Sequence, residues 1–159
     1  MEREDYMRRA LALAREAVES GDVPVGAVIA GPDGAILGEG RNRREERRSA
    51  VRHAEIEAIE QACAALGTWR LEGCALYVTL EPCPMCAGAV INARIPTLVY
   101  GAKEPVTGSC GSVLNLFEER YGFRPAIYGG VLEEECAALM REFFRGLRDA
   151  GEYKGEYNG

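Results

Sequence analysis

The sequence predicts an α/β protein, with a mixed five-stranded sheet between two layers of helices in a three-layer α/β/α sandwich. Three observations predict this fold class. Amphipathic segments of helical length alternate along the chain with short apolar segments of strand length. A turn sequence joins the first two strands, which favours an antiparallel hairpin. A strand–helix–strand segment follows, and such a unit places its two strands parallel in one sheet.

The first half of the chain predicts a helix, a hairpin and a second helix. Apolar residues recur at helical spacing after a cap at Asp5, and Gly21 ends the pattern. Residues 23–30 and 35–37 flank a Gly-Pro-Asp-Gly turn and predict the hairpin. After an arginine-rich loop at 41–52, helical spacing resumes at Ala54 and continues to Gly67.

The second half predicts the strand–helix–strand unit and a final helix. Residues 76–80 and 97–100 have the apolar character of strands that are covered on both faces. The small apolar residues of 83–91 between them predict a buried helix. A last strand is predicted at 123–128, and residues 132–148 carry their apolar side chains on one helical face.

Length and composition predict one domain over residues 1–150 and a frayed tail over 151–159. The chain has 159 residues, of which 47% are hydrophobic and 28% are charged. Its net charge of −6 argues against a surface that coats duplex DNA. Because no apolar run reaches the roughly 18 residues of a membrane span, and because the N-terminus is charged, we expect a cytoplasmic protein without a membrane partner.

A histidine and a cysteine pair at two predicted helix starts indicate a metal site. Cys83 and Cys86 are three residues apart, so on one helical turn both sulfurs can reach the same ion. His53, the single histidine of the chain, supplies a third ligand if the two helix starts lie together. Two thiolates and a neutral imidazole balance the charge of Zn²⁺, and the helix dipoles favour the thiolates. We predict one zinc ion per chain, with water in the fourth position.

Two other interpretations of this cluster stay open. A closed structural zinc site would need a fourth ligand from one of the solitary cysteines, which are Cys63, Cys74, Cys110 and Cys136. A redox dithiol would use Cys83 and Cys86 alone and would leave the neighbouring His-x-Glu unexplained. Glu55 favours catalysis, because a zinc-activated water still needs a base that moves its proton to the substrate. We therefore predict Glu55 as the catalytic residue.

These residues complete the H-x-E…P-C-x-x-C signature of zinc nucleobase deaminases. Over a much longer stretch the chain resembles bacterial tRNA adenosine deaminases, members of the cytidine deaminase-like superfamily, which convert adenosine to inosine at the wobble position of an anticodon. The resemblance covers roughly residues 5–150. Its matching stretches are VPVGAV at 23–28, GRNR at 40–43, HAEI at 53–56, LYVTLEPC at 76–83, MCAGA at 85–89, GA at 101–102, ECAAL at 135–139 and FF at 143–144.

The resemblance implies hydrolytic deamination by a zinc-bound hydroxide, with Glu55 as the proton shuttle and the ligands already named. It also implies contact of Asn42 with the target nucleoside, a tRNA anticodon loop as partner, and a homodimer whose partner subunit helps to build the RNA surface. The other substrate-binding residues that we expect are Arg43, Arg44, Glu104, Phe143, Phe144 and Arg145. At Glu104 the chain departs from the family, which often has an aspartate there and a lysine two residues later.

The six arginines between positions 41 and 52 lead directly into the predicted zinc ligand. They predict a phosphate-binding rim beside the pocket, which suits an acidic protein that touches nucleic acid on one face. The alternative is a solvated loop that Glu45 and Glu46 partly neutralise. At Phe143 and Phe144, only one of two adjacent helical side chains can face the core, which leaves the other for stacking on a base.

Two functional alternatives remain. The first is a zinc deaminase of a free base or nucleoside, of the guanine, cytosine or adenosine type, which the arginine loop and the length of the resemblance disfavour. The second is a non-catalytic zinc subunit that binds RNA. Glu55 argues against it, because a residue that is not a ligand contributes nothing to a purely structural zinc site.

Overall fold

The computed structural model describes residues 1–152, so the predicted tail at 151–159 lies almost entirely outside the described residues. In chain order the elements are α1 (Arg3–Glu19), β1 (Gly26–Ala30), β2 (Ile36–Arg41), α2 (Ala54–Leu66), β3 (Ala75–Leu80), α3 (Pro84–Ala93), β4 (Thr97–Ala102), a 3₁₀ turn (Leu116–Glu118), β5 (Ala126–Tyr128) and α4 (Glu133–Asp149). Within the described part, no helix combines the length and the apolar character needed to cross a membrane.

The five strands form one mixed sheet in the order β2-β1-β3-β4-β5. Strand β1 pairs antiparallel with both β2 and β3, while β3, β4 and β5 run parallel. The predicted hairpin and the predicted parallel strand–helix–strand unit are both confirmed. The carboxyl ends of the parallel strands β3 and β4 open at the same edge of the sheet, where ligands bind in open α/β folds.

Helices cover both faces of the sheet and confirm the three-layer sandwich. On one face α2 and α3 pack a core of small and branched side chains that includes Ala58, Val90 and the sheet residue Leu76. On the other face α1 and α4 pack around Met7 and Cys136. The two helices that begin with the predicted metal ligands therefore lie side by side on one layer.

Two glycines of β2 bring α2 unusually close to the sheet. A Cβ atom added at Gly38 or Gly40 would collide with the backbone carbonyl of Ala58 or Ala54 in α2. The absence of these side chains seats the helix directly on the strand, and this contact fixes where the start of α2 lies. The same glycines conceal the strand in the sequence, because β2 extends to Arg41 whereas its apolar residues end at Leu37.

The predicted starts of α1, β1 and β5 were each three residues off, for a local reason in each case. Helix α1 is capped at Glu2, and Asp5 is the second member of this capping box, its carboxylate accepting from the Glu2 amide. Strand β1 begins at Gly26, because Pro24 has no amide for a ladder and the Val23 carbonyl accepts instead from the Asn42 side chain. Strand β5 begins at Ala126, after the proline that follows residue 124.

Candidate metal centre and active site

Two helix N-termini converge at the predicted metal site. His53 is the N-cap residue of α2 and Cys83 is the N-cap residue of α3, while Cys86 lies in the first turn of α3. Pro84 follows Cys83 at the first helical position, where its missing amide costs no hydrogen bond. Both helices thus direct their positive dipole ends at the three side chains, which favours thiolates and other anions there.

The imidazole nitrogen lies at the distance from both sulfurs that a tetrahedral zinc ion requires. The Nδ1 atom of His53 lies 3.6 Å from the Sγ atom of Cys83 and 3.6 Å from the Sγ atom of Cys86. Zinc bonds of about 2.3 Å to sulfur and about 2.0–2.1 Å to nitrogen, at a tetrahedral angle, give an N···S separation of about 3.6 Å. The donor set therefore fits zinc through the Nδ1 atom of the histidine.

Even without a metal ion, the contacts among these three side chains favour negative charge at Cys83. A hydrogen bond from Cys86, and a second one from His53, lower the pKa of Cys83 to about 4. That shared hydrogen bond and burial raise the pKa of Cys86, and the contact with Cys83 raises the pKa of His53. These shifts favour negative charge at Cys83, and a divalent cation that binds the group would displace the protons of its thiols.

Glu55 lies beside the ligands without being one of them. It stands in the first turn of α2, is 4% exposed and contacts the Cys86 sulfur. Burial raises the pKa of this carboxyl to about 7. A carboxylate in such a position can accept a proton near neutral pH and release it again.

A cavity of about 200 Å³ opens over His53, Cys83 and Glu55. Four of the residues predicted to bind substrate lie in its wall: Asn42, Arg44, Glu104 and Phe144. Val23, Val25, Leu80 and Met140 supply an apolar lining, and Thr107 supplies a hydroxyl. Arg43, Phe143 and Arg145 do not line the cavity. Phe143 packs edge to face against Phe144, with ring centroids 5.3 Å apart.

Asn42 shapes one side of this cavity while it is held by the backbone. Its Nδ2 atom donates to the Val23 carbonyl at 3.2 Å, and its Oδ1 atom accepts from the Arg44 amide at 3.2 Å. The Nδ2 atom of Asn42 retains one further hydrogen to donate, and its Oδ1 atom retains one further lone pair to accept a hydrogen bond. The side chain is 8% exposed, so it presents a fixed amide to anything that enters the cavity.

Most arginines of the 41–52 loop pair with carboxylates of the protein itself. Arg43 contacts Glu46 and Glu57, and Arg52 lies 2.7 Å from Glu60. Among the described residues, Arg44 and Arg48 form no ion pair with a carboxylate. The loop is therefore neither a uniform basic rim nor fully neutralised. Arg44, which lines the cavity, is one of the arginines without an ion pair to a carboxylate.

Residues that sequence reasoning missed fix the loops around the cavity. Asp22 is 1% exposed, and its carboxylate accepts from the amides of Glu45 at 2.6 Å and Glu46 at 3.2 Å. It thereby anchors the arginine loop to the segment that follows α1. Glu81, which is also buried, lies in the cavity wall next to the ligand segment. Neither acid belongs to a periodic pattern, although Glu81 falls within the LYVTLEPC stretch at 76–83 that matches the family.

The remaining cysteines do not complete a closed metal site. Within residues 1–152, the group of converging ligand atoms consists of His53, Cys83 and Cys86, whose ligand atoms lie within 4.8 Å of one another. Burial raises the pKa of both Cys110 and Cys136 to about 12, which is the behaviour of inert thiols in a core. A three-ligand set that faces a cavity has the form of a catalytic zinc site.

The sandwich fold, the three-ligand group and the buried glutamate together define the class of zinc-dependent nucleobase deaminases. The family pattern of the MafB19-like deaminases matches residues 1–148, and the chain belongs to this family of cytidine deaminase-like deaminases. The tRNA-specific adenosine deaminase of Bacillus subtilis (strain 168) is 49% identical over 144 residues, which cover 90% of this chain and 89% of that protein.

Two solved structures share the fold at different levels of identity. One, from a study of A-to-I editing by tRNA A34 deaminases at the wobble position, aligns with a TM-score of 0.81 and 43% identity over 85% of this chain and 98% of that chain. The other, a guanine deaminase from Nitrosomonas europaea, gives a TM-score of 0.77 and 28% identity over 88% of this chain and 83% of that chain. The similarity is greater to the protein that acts on tRNA.

Proposed function

We propose that this enzyme hydrolyses adenosine to inosine at the wobble position of a tRNA anticodon. The observation that carries the reaction type is the buried Glu55 beside a three-ligand group that faces a cavity. The identity of 49% to a tRNA-specific adenosine deaminase supports the substrate. A tRNA substrate also implies work in the cytoplasm.

In this proposal His53, Cys83 and Cys86 hold one zinc ion per chain. When bound there, zinc supplies a Lewis acid that lowers the pKa of a water molecule to about 7. Glu55 accepts a proton from the attacking water and delivers it to N1 of the base as oxygen adds to C6. A second proton, again through Glu55, reaches the amino group, so that the C6–N bond breaks and ammonia leaves. Water and adenosine give inosine and ammonia.

The residues of the cavity wall suit the recognition of an unstacked base. Asn42 offers its remaining amide hydrogen and carbonyl lone pair to the nucleoside, and Phe144 offers an aromatic surface. The exposed Arg44 and the half-buried Glu104 also line the cavity, and in this proposal they contact the flanking nucleotides. Phe143, Arg43 and Arg145 lie outside the wall, so in this proposal they contact the loop beyond the target nucleotide.

The proposal includes a homodimer. The loop after β4 exposes apolar side chains that water does not favour, with Val106 at 76%, Val113 at 55% and Leu114 at 44% exposure. A second copy that covers them would bring its own surface next to Glu104 and the cavity. This arrangement agrees with the resemblance, in which the partner subunit contributes to the RNA surface.

The ion pairs of the 41–52 loop predict which arginines bind phosphate. We expect the Arg44→Ser and Arg48→Ser variants to flatten the slope of log affinity against log salt by about 0.7 for each single-strand phosphate that the variant no longer neutralises. Arg43→Ser should change the slope less, because Glu46 and Glu57 already neutralise that guanidinium. Titrations of an anticodon stem-loop at several salt concentrations measure these slopes.

The matched control for this experiment is Arg8→Ser. Arg8 carries the same charge on the exposed side of α1, where it pairs with Glu4 and Asp5. Its slope should equal that of the unmodified protein. If Arg8→Ser flattens the slope as much as Arg44→Ser, net charge and not a local phosphate contact explains the effect.

The experiment that tests the proposed function is sequencing of cellular tRNA after deletion of the gene. Inosine is read as guanosine during reverse transcription, so the wobble position reports the modification directly. The proposal predicts inosine in the parent strain and adenosine in the deletion strain. Unchanged wobble inosine after deletion would contradict it.

A further inference from the structure

The cavity wall contains a second buried carboxylate that the proposed reaction does not use. Glu81 is 2% exposed and precedes the ligand Cys83 by two residues. Its oxygens accept four hydrogen bonds, all from the stretch after β4, which we call the 103–115 loop. An acid with such burial and such partners has a role other than solvation.

The four hydrogen bonds fill the acceptor capacity of the carboxylate. The Oε1 atom of Glu81 accepts from the Glu104 amide at 3.0 Å and from the Ser112 hydroxyl. The Oε2 atom accepts from the Cys110 amide at 2.8 Å and from the Ser112 amide at 3.1 Å. A carboxylate has about four lone-pair sites, and hydrogen bonds to a charged acceptor are among the stronger ones in proteins.

The backbone adds to this connection between the two segments. The Glu81 amide donates to the Ala102 carbonyl at 2.8 Å, and the Ser109 amide donates to the Pro82 carbonyl at 2.9 Å. A Cβ atom at Gly108 would lie 2.5 Å from the Cδ atom of Glu81, so the glycine permits the close approach. The 103–115 loop is therefore fastened to residues 81 and 82, immediately before a zinc ligand.

We infer that Glu81 is a positioning residue that sets the substrate wall of the cavity relative to the metal group. The 103–115 loop contributes Glu104 and Thr107 to that wall. The buried carboxylate that anchors this loop stands two residues from Cys83, so the distance from the ligands to the wall depends on the Glu81 carboxylate. Only the identity of the substrate in this inference rests on the proposed function.

Replacement of Glu81 by glutamine tests the inference. Glutamine keeps one accepting oxygen, but its NH₂ group faces two of the four donors. The hydrogen bonds from those two donors are therefore lost. In zinc-loaded Glu81→Gln protein, we expect hydrogen exchange of peptides spanning 104–112 to accelerate about tenfold or more. We expect KM for an anticodon stem-loop to rise about tenfold, because the cavity wall is no longer held in position. The kcat value should stay within about threefold of that of the unmodified enzyme. Zinc should stay at one ion per chain.

Two further variants complete the test. Glu72→Gln removes an exposed carboxylate that pairs with Arg70, and it should change neither the exchange of 104–112 nor KM. Ser112→Ala removes the hydroxyl donor alone and should give smaller increases in both quantities. It decides the question if Glu81→Gln does not fold.

Three results would overturn the inference: unchanged exchange in folded Glu81→Gln, faster exchange with unchanged KM, or loss of zinc together with loop order. Unchanged exchange and KM in Ser112→Ala would also overturn it if Glu81→Gln cannot be studied. If the unmodified enzyme does not deaminate the stem-loop, the proposed function fails. The exchange comparison uses no substrate and still decides whether Glu81 holds the loop.

Discussion

Cys83→Ala and Cys86→Ala should each lose both zinc and deaminase activity. Each variant leaves two protein ligands in place of three, and a catalytic zinc site needs three to hold the ion while one position stays open. The effect on metal affinity should be large, because both sulfurs lie 3.6 Å from the same imidazole nitrogen, as the edges of one tetrahedron require. Metal analysis of purified protein, together with inosine formation, measures both losses.

The solitary cysteines provide the matched controls for this experiment. Cys63→Ala and Cys74→Ala change residues whose thiols contact the backbone carbonyls of Trp69 and Glu72, away from the metal group. Both variants should retain one zinc ion per chain. One tightly held zinc in Cys83→Ala, or loss of zinc in Cys63→Ala or Cys74→Ala, would contradict the assigned ligand set.

Glu55→Ala should give folded, zinc-loaded protein without measurable deaminase activity. The side chain is assigned to proton transfer and not to the metal, so its removal should spare zinc binding. Loss of a positioned general acid/base costs about 10²–10⁴ in rate. Single-turnover inosine formation and metal analysis on the same sample separate these two effects.

Glu57→Ala is the control for Glu55. Glu57 lies in the same helical turn, but its carboxylate contacts Arg43 and the Arg41 amide and does not line the cavity. Its loss should leave kcat within about threefold of the parent value, since no proton transfer is assigned to it. Turnover close to the parent rate in Glu55→Ala would remove Glu55 from the mechanism.

The metal group could be predicted from the sequence because its information is local. Cys83 and Cys86 are one helical turn apart, and His53 begins the other helix of the same layer. The apolar strand–helix–strand pattern between 76 and 100 predicts that α3 begins at the edge of the sheet where β3 ends. The position of the α2 start at the same edge follows from the packing of α2 on Gly38 and Gly40 of β2. Local spacing was sufficient to predict the cysteine pair, whereas the contribution of His53 was predicted only on the condition that the two helix starts lie together.

The acids that hold the surrounding loops could not be predicted, because their partners are distant backbone amides. Glu81 accepts from amides 23 to 31 residues away, and Asp22 accepts from amides 23 and 24 residues away. Neither acid belongs to a periodic pattern. Before the loops are placed, both have the sequence character of exposed residues.

The distribution of charge in the arginine loop could not be predicted from the sequence either. Its composition predicts a phosphate rim or a solvated loop, and the structure contains both neutralised and unpaired arginines. Glu46 of the loop pairs with Arg41, Arg43 and Arg47, and Glu57 and Glu60 of α2 pair with Arg43 and Arg52. The pairs made by α2 depend on how that helix packs on the two glycines of β2, which composition does not encode.

Deamination of an anticodon stem-loop and of free substrates by the same zinc-loaded protein would show which substrate this enzyme accepts. Mass spectrometry would follow inosine at the wobble position, in parallel with turnover of free adenosine, guanine and cytosine. An enzyme that acts on the wobble adenosine should form one inosine per stem-loop and turn over little of the free compounds. Efficient turnover of a free base or nucleoside, with no inosine in the stem-loop, would contradict the proposed function.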